Sequence, residues 1–571
     1  MTAPAARNAS PPVHTRPNPW QNASVTMRRY AVKELKRLAS IERGAAPARA
    51  AACAVALVYP DSYFIGMSSM GFQLVYGALN ALSGVRCERA FLMPRGESLT
   101  VECRRPLSDF DVVAFSLSCE QDYGNAVEII RRAGIPPFSA SRDERFPLLL
   151  GGGVCVTLNP EPLADLFDLF VLGEAEEVLS PLFERLAVEA RRGGRARLLR
   201  ALAEVPGVYV PRLFTPRTDP GGRLAAVEPA DRSLPRPSRR LVGDLDRWPG
   251  LAPVVTPETD FGGRALVEVM RGCGWGCRFC VADYAYRPPR TRGREALAAA
   301  VARGMEMAGG IALFGPSLSD CPWLEETCGE VVARGGRVSV SSLRADALGD
   351  RLLRLLAEGG MRALTIAPET PSAFLQRRIN KSIPPAEIAS AAERAAGAGL
   401  RDLKLYYMIG IPGERDADLE AIAAGVEAAA ARINVRVSVG CLVPKANTPL
   451  QWAGMESEAE LKRRYRLVHG MLSRIPRVRL SGQSARGALV EGLLARGDRA
   501  LGGFLVEGRM PEGAIERYAM RGRETGEVFP WDHLDGGAGK GYLLAEYERF
   551  VKGEPTPRCA VRECRRCAAC G

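Results

Sequence analysis

Short apolar runs alternate with amphipathic helical segments along two long stretches of the chain. In the first stretch, Gly71–Leu82 and Tyr123–Ala133 carry apolar residues at helical spacing, and a further helix is expected up to Leu186. The strands expected around these helices are Ala54–Tyr59, Arg89–Met93, Val112–Ser116, Leu148–Leu150 and Leu169–Leu172. Such alternation of strands and helices predicts a parallel sheet covered by helices.

The first stretch has the dimensions of a flavodoxin-like sheet. Five strand–helix units follow each other within about 140 residues, and ligands on such sheets bind beyond the carboxyl ends of the strands. One of the loops expected at that edge contains Gly151, Gly152 and Gly153, which would let the backbone approach a bulky ligand closely. A tight turn is the alternative explanation for the three glycines.

The second stretch predicts a partial barrel of six strand–helix units. Its helices are clearest at Arg294–Met307, Asp346–Glu358 and Pro384–Ala398. Its strands are expected at Ala265–Met270, Ile311–Phe314, Arg337–Ser341, Ala363–Ile366, Asp402–Ile409 and Arg436–Leu442. Active sites of strand–helix barrels gather at the carboxyl ends of the strands, so functional residues are expected in the loops there.

These patterns divide an α/β chain into five parts. An N-terminal arm (1–48), with a helix near Val25–Ser40 or disorder as the alternative, precedes the flavodoxin-like domain (49–190). A linker (191–260) contains a β-hairpin signalled by Asp219-Pro220-Gly221-Gly222. The partial (βα)6 barrel (261–455) is followed by a small irregular C-terminal extension with a cysteine-rich tail (456–571).

Three cysteines stand on a glycine-rich loop directly after the first barrel strand. Cys273, Cys277 and Cys280 have the spacing C-x3-C-x2-C. Iron–sulfur clusters normally bind four cysteines, so a compact set of three implies a cubane with one iron open to another ligand. A zinc knuckle or scattered reduced thiols are the alternatives, but zinc would need a fourth ligand and no histidine of the chain lies nearby in sequence.

Four further cysteines end the chain in the pattern C-x4-C-x2-C-x2-C. Cys559, Cys564, Cys567 and Cys570 are close enough in sequence to bind one metal centre. A second 4Fe–4S cluster is favoured over structural zinc, because zinc knuckles usually pair two C-x2-C units across a longer loop. A disordered tail is the remaining alternative.

Composition places the chain among globular proteins without a membrane span. Its 571 residues exceed one ordinary core, and the chain is 47% hydrophobic and 25% charged. No apolar run approaches the length of a membrane helix, and no signal peptide is visible, so we expect a cytoplasmic location. The net charge of +12 supports a nucleic-acid partner only weakly, since arginine is frequent throughout the chain.

The segment from Val267 to Cys280 resembles the signature of the radical S-adenosylmethionine (radical SAM) superfamily. The resemblance implies a 4Fe–4S cluster whose open iron binds the amino and carboxylate groups of SAM. It also implies an electron donor such as flavodoxin or ferredoxin, one-electron cleavage of SAM to a 5′-deoxyadenosyl radical, and hydrogen abstraction from a substrate that the sequence does not identify.

The same resemblance implies that loops at successive strand ends bind SAM. Phe279 would pack against SAM, Arg344 would pair with its carboxylate, and Glu369 would accept hydrogen bonds from its ribose or amino group. Gly315-Pro316-Ser317 replaces the Gly-Gly-Glu-like turn of the family, which leaves that contact open. The other positions implied in the SAM site are Ser341, Ser342, Gly410 and Gly413.

A flavodoxin-like domain ahead of such a barrel is similar to the cobalamin-binding class of radical SAM proteins. That similarity implies cobalamin-dependent methyl transfer as one outcome. Residues 51–190 contain no histidine, so cobalamin would bind without a histidine ligand from this domain, and a vestigial domain is the alternative. Within that class the chain resembles a bacterial subfamily of unassigned activity. The supporting segments are Gly66–Gly71, Phe115–Glu120, Asn159–Asp165, Leu172–Glu174, Val443–Trp452 and the terminal cysteines.

Two other functions remain open at this point. A methylthiotransferase acting on tRNA or a ribosomal protein would need a second three-cysteine set in the N-terminal domain. The N-terminal cysteines are dispersed and support that function weakly: Cys53, Cys87, Cys103, Cys119 and Cys155. A non-catalytic iron–sulfur scaffold is disfavoured, because the SAM-binding loops would then have no purpose.

Overall fold

The computed structural model describes residues 31–47, 49–561, 564, 566, 567 and 569. Their fold is mixed α/β with parallel sheets, as the sequence predicts. None of the helices in these ranges is long and apolar enough to cross a bilayer.

The N-terminal sheet has six strands within the described residues, in the order β2-β1-β3-β4-β5-β6. The strands are β1 (Cys53–Tyr59), β2 (Val85–Phe91), β3 (Val112–Ser116), β4 (Leu148–Gly152), β5 (Leu169–Val171) and β6 (Val208–Tyr209). The first five are parallel, and β6 pairs antiparallel with β5. The order 2-1-3-4-5 is that of flavodoxin-like sheets, in which ligands bind at the carboxyl edge.

Strand β2 begins four residues before the predicted Arg89–Met93. The hydrophobic pattern did not reveal this start, because the first half of the strand is not continuously apolar. Arg89 is fully buried, and its guanidinium pairs with Glu42 at 2.7 Å and with Glu102 at 2.7 Å. A buried arginine is tolerated where carboxylates satisfy its charge and its donors. The charged positions therefore lie inside the sheet.

Residues 31–41 are helical and lie against the N-terminal sheet. Their side chains at Ala31, Leu35 and Leu38 are buried in the same core as Leu57 of β1. Spacing of three and four residues puts one face of a helix onto a core. Residues 1–30 and 48 of the predicted arm lie outside the described residues.

The predicted hairpin forms around the expected turn. Strands β7 (Phe214–Thr218) and β8 (Leu224–Pro229) pair antiparallel around the Asp219–Gly222 turn. The apolar residues that precede β7 form β6 and join the N-terminal sheet.

The barrel strands form two parallel sheets and a short ribbon. In the described residues the sheets have the orders β13-β12-β9 and β14-β15-β16-β17, and β10 pairs with β11. The strands are β9 (Ala265–Glu268), β10 (Met270–Arg271), β11 (Arg290–Thr291), β12 (Gly310–Phe314), β13 (Arg337–Val340), β14 (Ala363–Glu369), β15 (Asp402–Ile409), β16 (Asn434–Cys441) and β17 (Val478–Gly482). Strand β17 extends the six predicted strands by a seventh, since it pairs parallel with β16.

Helices cover both sheets and fill the C-terminal part. Those before the barrel are Tyr63–Ser68, Met70–Ala81, Tyr123–Arg132, Val154–Leu158, Glu176–Ala190 and Arg195–Leu202. Those of the barrel are Val281–Tyr286, Arg294–Ala308, Leu324–Ala333, Asp350–Glu358, Ala373–Ile379, Pro385–Gly397, Asp416–Ala430 and Glu458–Leu472. The last ones are Ala485–Arg496, Leu501–Glu507 and Lys540–Lys552.

One hydrophobic core contains residues of the N-terminal sheet, of the barrel and of the C-terminal part. It contains Phe115 of β3, Tyr284 beside the three-cysteine loop, and Trp452, Leu493 and Trp531 of the C-terminal half. Because apolar burial contributes about 25 cal/mol per Å², a continuous core fixes the N-terminal sheet relative to the barrel. The carboxyl edges of the sheet and of the barrel therefore lie close to each other.

Candidate active site at the three-cysteine loop

The three-cysteine loop leaves the barrel at the carboxyl end of β9 and β10. Gly272 and Gly276 adopt positive φ angles of 70° and 72°. A Cβ atom on Gly272 would collide with the backbone oxygen of Tyr286. Glycine is therefore required where the chain turns from β10 into the loop.

The three predicted cluster ligands interact electrostatically with one another. Cys277 interacts with Cys273 and Cys280, and Cys273 interacts with Cys280. Burial raises the pKa of Cys273 to about 12 and also raises the pKa values of Cys277 and Cys280. Since metals bind the thiolate, metal binding at this loop would release protons.

No three His, Cys, Asp or Glu side chains of the described residues are placed to hold one metal ion. A cubane binds each cysteine through a different iron, so its ligands need not converge on one point. The metal assignment for the three cysteines stays a prediction.

Two side chains, Asp283 and Asn380, bind the backbone of the three-cysteine loop. Asp283 accepts a hydrogen bond from the Gly276 backbone at 2.5 Å and pairs with Arg287. The Asn380 amide donates to the backbone oxygens of Trp275 at 3.0 Å and Gly276 at 3.2 Å. The sequence analysis missed both residues: Asp283 follows Cys280 by three positions, whereas Asn380 is 104 positions away from Gly276 in the chain.

A partly buried lysine, Lys381, lies beside the cysteines. The Lys381 ammonium is 2.8 Å from the Glu369 carboxylate, which follows β14 at a positive φ of 67°. Burial lowers the pKa of Lys381, but the Glu369 carboxylate and the Cys277 and Cys280 thiolates outweigh it and raise the pKa above its ordinary value. Lys381 thus brings a fixed positive charge next to two of the thiols and was also missed by the sequence analysis.

Three of the predicted SAM positions meet at the ends of β12 and β13. The Ser341 hydroxyl donates to the Gly315 carbonyl at 3.1 Å. Ser317 is 5% exposed, and its hydroxyl has no hydrogen-bond partner in the described structure. A buried hydroxyl without a partner costs about 1–3 kcal/mol, so Ser317 marks a place where a ligand would restore a hydrogen bond. Ser342, in contrast, is exposed.

Arg344, the predicted partner of the SAM carboxylate, lies beside the three-cysteine loop. Its side chain stacks on Trp275 at 3.6 Å from the ring centroid and pairs with Asp346 through contacts of 3.0 and 2.7 Å. The guanidinium is therefore fixed beside the three-cysteine loop, but a carboxylate already occupies two of its donors. A role in binding SAM stays a prediction.

The turn after β15 has the glycine conformations that the sequence suggests. Gly410 and Gly413 have φ angles of 79° and 88°, and the Gly410 N–H donates to Glu414 at 2.8 Å. Burial raises the pKa of Glu414 to about 7, although its contacts with Gly410 and Arg464 lower it. Phe279 packs beside Met408 at the end of β15.

The C-terminal cysteines approach the same loop from the outside. The Cys559 N–H donates to the Gly274 carbonyl at 2.8 Å. Cys564 and Cys567 border a small cavity together with Cys559 and Gly276. Cys570 lies outside the described residues.

A cavity of about 340 Å³ separates the N-terminal sheet from the three-cysteine loop. Ser116, Gly152 and Glu174 line it on the side of the sheet, and Met270 and Gly315 line it on the side of the barrel. This volume falls in the range of about 300–1,000 Å³ that is usual for small-molecule sites. The cavity lies at the carboxyl edge of both sheets.

Ion pairs join the two walls of this cavity. The Glu174 carboxylate binds Arg290 at 2.7 and 2.8 Å and lies 3.4 Å from Arg271. Arg271 also contacts Glu176 at 2.5 Å and Glu268 at 2.7 Å. Since Arg271 immediately precedes the three-cysteine loop, the N-terminal domain helps to position that loop.

A second partly buried lysine connects three regions near the barrel mouth. The Lys445 ammonium lies 2.6 Å from Glu120 and 2.7 Å from Glu491. Burial, together with the charges of Asp61 and Glu120, raises the pKa of nearby Asp122 to about 7. Replacing one partner of such a buried pair leaves an uncompensated charge, so this cluster holds the domains in register.

Two family models match this chain. Residues 71–211 match "Radical SAM proteins, N-terminal", and residues 267–424 match "Radical SAM superfamily". An uncharacterized protein of Methanocaldococcus jannaschii is 28% identical over 466 residues, which cover 81% of this chain and 92% of that protein.

Two solved structures share parts of the fold at low identity. The radical S-adenosylmethionine methyltransferase TsrM from Kitasatospora setae, with cobalamin and a [4Fe-4S] cluster bound, gives a TM-score of 0.44 at 15% identity, covering 68% of this chain and 75% of TsrM. The cobalamin-dependent S-adenosylmethionine radical enzyme OxsB, with aqua-cobalamin bound, gives a TM-score of 0.45 at 15% identity. That match covers 66% of this chain and 52% of OxsB.

Proposed function

The chain belongs to the radical SAM superfamily, and we propose that it is an enzyme that cleaves SAM reductively to abstract hydrogen from a substrate. The observation that carries this proposal is the position of Cys273, Cys277 and Cys280. They share one glycine-rich loop at the carboxyl end of the first barrel strand, beside the partly buried Lys381. The substrate is not identified by these residues.

The residues around the loop fit a cluster and a bound SAM. Three thiols would hold three irons of a 4Fe–4S cluster, and the positive charge of Lys381 would offset part of the negative charge of the thiolates. The unpartnered Ser317 hydroxyl would donate to a ligand at the end of β12. Glu369 would accept from that ligand while it remains paired with Lys381.

A 4Fe–4S cluster held by Cys273, Cys277 and Cys280 would supply the electron for reductive cleavage of SAM to methionine and a 5′-deoxyadenosyl radical. The protein contributes position and exclusion of water. Asn380 and Asp283 hold the loop backbone through Trp275 and Gly276. A fixed loop keeps the reacting groups within the short distances that such chemistry needs.

SAM cleavage by the reconstituted wild-type protein tests this function. We expect 5′-deoxyadenosine and methionine to accumulate when anaerobic protein is mixed with dithionite and SAM, because the cluster provides the electron. Liquid chromatography measures both products, with iron-free protein as the control. A reconstituted protein that binds iron but forms neither product would be a non-catalytic scaffold and would contradict the proposal.

Cobalamin-dependent methyl transfer is a second candidate function. The cavity of about 340 Å³ supports it, because this cavity joins the N-terminal sheet to the three-cysteine loop. Its lining contains no histidine among the described residues, so cobalt would have no imidazole ligand there.

A glycine substitution tests cobalamin binding in the full chain. A side chain at Gly152 would meet no atom within 4 Å of its Cβ and would project at the cavity, whereas exposed Gly397 offers equal room elsewhere. We expect wild type and Gly397→Leu to retain corrin absorbance on gel filtration after incubation with hydroxocobalamin. Gly152→Leu should bind at least about tenfold more weakly, a difference of about 1.4 kcal/mol. Wild-type protein without corrin absorbance would mean a vestigial domain.

A methylthiotransferase has less support. Cys53 and Cys87 lie on β1 and β2, whereas Cys119 and Cys155 follow β3 and β4. A second cluster in this domain would need three of its cysteines together.

The proposed radical SAM function also includes a metal at the C-terminal cysteines and a one-electron protein donor such as flavodoxin or ferredoxin.

A further inference from the structure

We propose that Cys559, Cys564 and Cys567 form a second iron–sulfur centre that delivers electrons to the three-cysteine loop. This inference rests on the proposed function, because it names how the SAM-cleaving site receives its electron. It is carried by the docking of the C-terminal segment directly onto that loop.

The first contact is between the two cysteine-bearing backbones. The Cys559 N–H donates to the Gly274 carbonyl at 2.8 Å, and a Cβ added to Gly274 would lie 3.3 Å from the Cys559 Cβ. Gly274 adjoins Cys273 in the chain. The two sets of cysteines are therefore neighbours, and no other element lies between them at this point.

Two polar residues fix the segment that leads to Cys559. The Thr556 N–H donates to the Asn380 side-chain oxygen at 2.9 Å, while the same Asn380 amide holds Trp275 and Gly276. Arg278, within the three-cysteine loop, donates to the Glu554 carbonyl and the Thr556 hydroxyl at 2.7 Å each. One set of side chains thus binds both the loop and the tail.

A third contact lies on the outer face of the loop. Arg558 pairs with Asp320 at 2.7 Å, and Asp320 also accepts from the Trp275 indole N–H at 2.9 Å. The Arg558 guanidinium lies over the Trp275 ring at 4.6 Å from the centroid. Trp275 is therefore enclosed between the tail and Arg344.

Three of the C-terminal cysteines border one small cavity next to the three-cysteine loop. Cys559, Cys564 and Cys567 line it together with Gly276 and Arg566. The Arg566 guanidinium donates to the Cys564 sulfur at 3.1 Å, a contact that favours the thiolate which metals bind. Thiols gathered beside arginines in this way suit an anionic cluster.

An iron–sulfur cluster fits these cysteines better than zinc does. Zinc needs its sulfurs at about 2.3 Å from one point, and the described cysteines do not converge in that manner. Arg287 and Arg566 border the same cavity and would stabilise the reduced, more negative state of a cluster. Nearby positive charge raises a reduction potential, which lets the centre accept an electron readily.

The electron balance of the relay is simple. A one-electron donor of the flavodoxin or ferredoxin class is oxidised by one electron, and the C-terminal centre is reduced by one. The centre returns to its oxidised state when it passes that electron to the cluster at Cys273, Cys277 and Cys280. No proton or leaving group is involved.

The decisive variant is Cys564→Ser combined with Cys567→Ser in the full chain. We expect its iron content to fall from about eight to about four per chain, since each cubane holds four irons. The rate at which flavodoxin reduces the remaining cluster, measured as the loss of visible absorbance, should fall by about tenfold or more. The rate of reduction by dithionite should not change. Dithionite is a small molecule that reaches the loop directly.

Controls separate the relay from folding and from the proposed function. Cys103→Ser, in the N-terminal domain, should keep both the iron content and the flavodoxin rate of the wild type. Cys559→Ser provides a second variant if the double variant unfolds, and its iron content should also fall. Unchanged iron in these variants, or zinc in place of iron, would overturn the second centre.

Two further outcomes are distinguishable. Iron loss with an unchanged flavodoxin rate would overturn the relay. A wild-type protein that holds about eight irons yet never cleaves SAM with dithionite would contradict the proposed function, while the iron count of the variants would still support the second centre.

Discussion

Simultaneous replacement of Cys273, Cys277 and Cys280 by alanine is expected to abolish reductive cleavage of SAM. The three thiols are the proposed ligands of the cluster that would pass the electron to bound SAM, so their loss removes that cluster. The rate of 5′-deoxyadenosine formation with dithionite should fall by at least about a thousandfold, because the protein supplies little of this chemistry without the cofactor.

A matched variant shows whether the loss is specific. Cys53, Cys87 and Cys103 can be replaced together, since they lie in the N-terminal domain away from the loop. We expect that variant to lose stability, because Cys87 is buried, but to keep SAM cleavage within about tenfold of wild type. Cleavage at the wild-type rate by the variant that lacks the loop cysteines would refute the assignment of the cluster.

Local sequence patterns predicted the strands that are apolar and continuous. The strand predicted at Asp402–Ile409 has the same bounds in the structure, and β12 and β13 differ from their predicted bounds by one residue at one end. In these strands the order of apolar and polar residues follows from which side chains are buried. Strand β17 was missed because Arg479 and Ser481 interrupt its apolar residues at the edge of a sheet.

The three-cysteine loop was predictable because its proposed metal ligands lie close together in the sequence. The residues that support it were not, since they arrive from distant segments. Asn380 and Gly276 are 104 positions apart in the chain, and Lys445 and Glu120 are 325 apart. Contacts of this kind depend on how whole elements pack, which local periodicity does not encode.

The C-terminal cysteines illustrate the same difference. Their spacing predicts a metal site, but only the fold brings Cys559 to Gly274. The role of Arg278 was equally hidden, because an arginine between two cysteines in sequence resembles an exposed basic residue. In the structure its side chain is fully buried.

Replacing Arg278 by methionine should strongly destabilise the protein and release the C-terminal segment. Its guanidinium donates to the Arg377 and Arg378 carbonyls at 3.1 and 2.7 Å, to the tail as described, and to Glu546 at 3.2 Å. Methionine fills similar space but leaves the buried Glu546 carboxylate with only the longer ion-pair contact of 3.9 Å to Arg549 among the described residues. Breaking a buried pair in this way costs about 3–5 kcal/mol.

Denaturant unfolding, monitored by circular dichroism, measures this loss against an exposed arginine. Arg351 pairs with Glu325 at 3.0 Å on the surface, so Arg351→Met should change the free energy of unfolding by about 1 kcal/mol or less. We also expect Arg278→Met to become sensitive to proteases after the helix Lys540–Lys552, because Glu554 and Thr556 lose their donor. Equal stability of the two variants would show that Arg278 does not anchor the C-terminal segment to the three-cysteine loop.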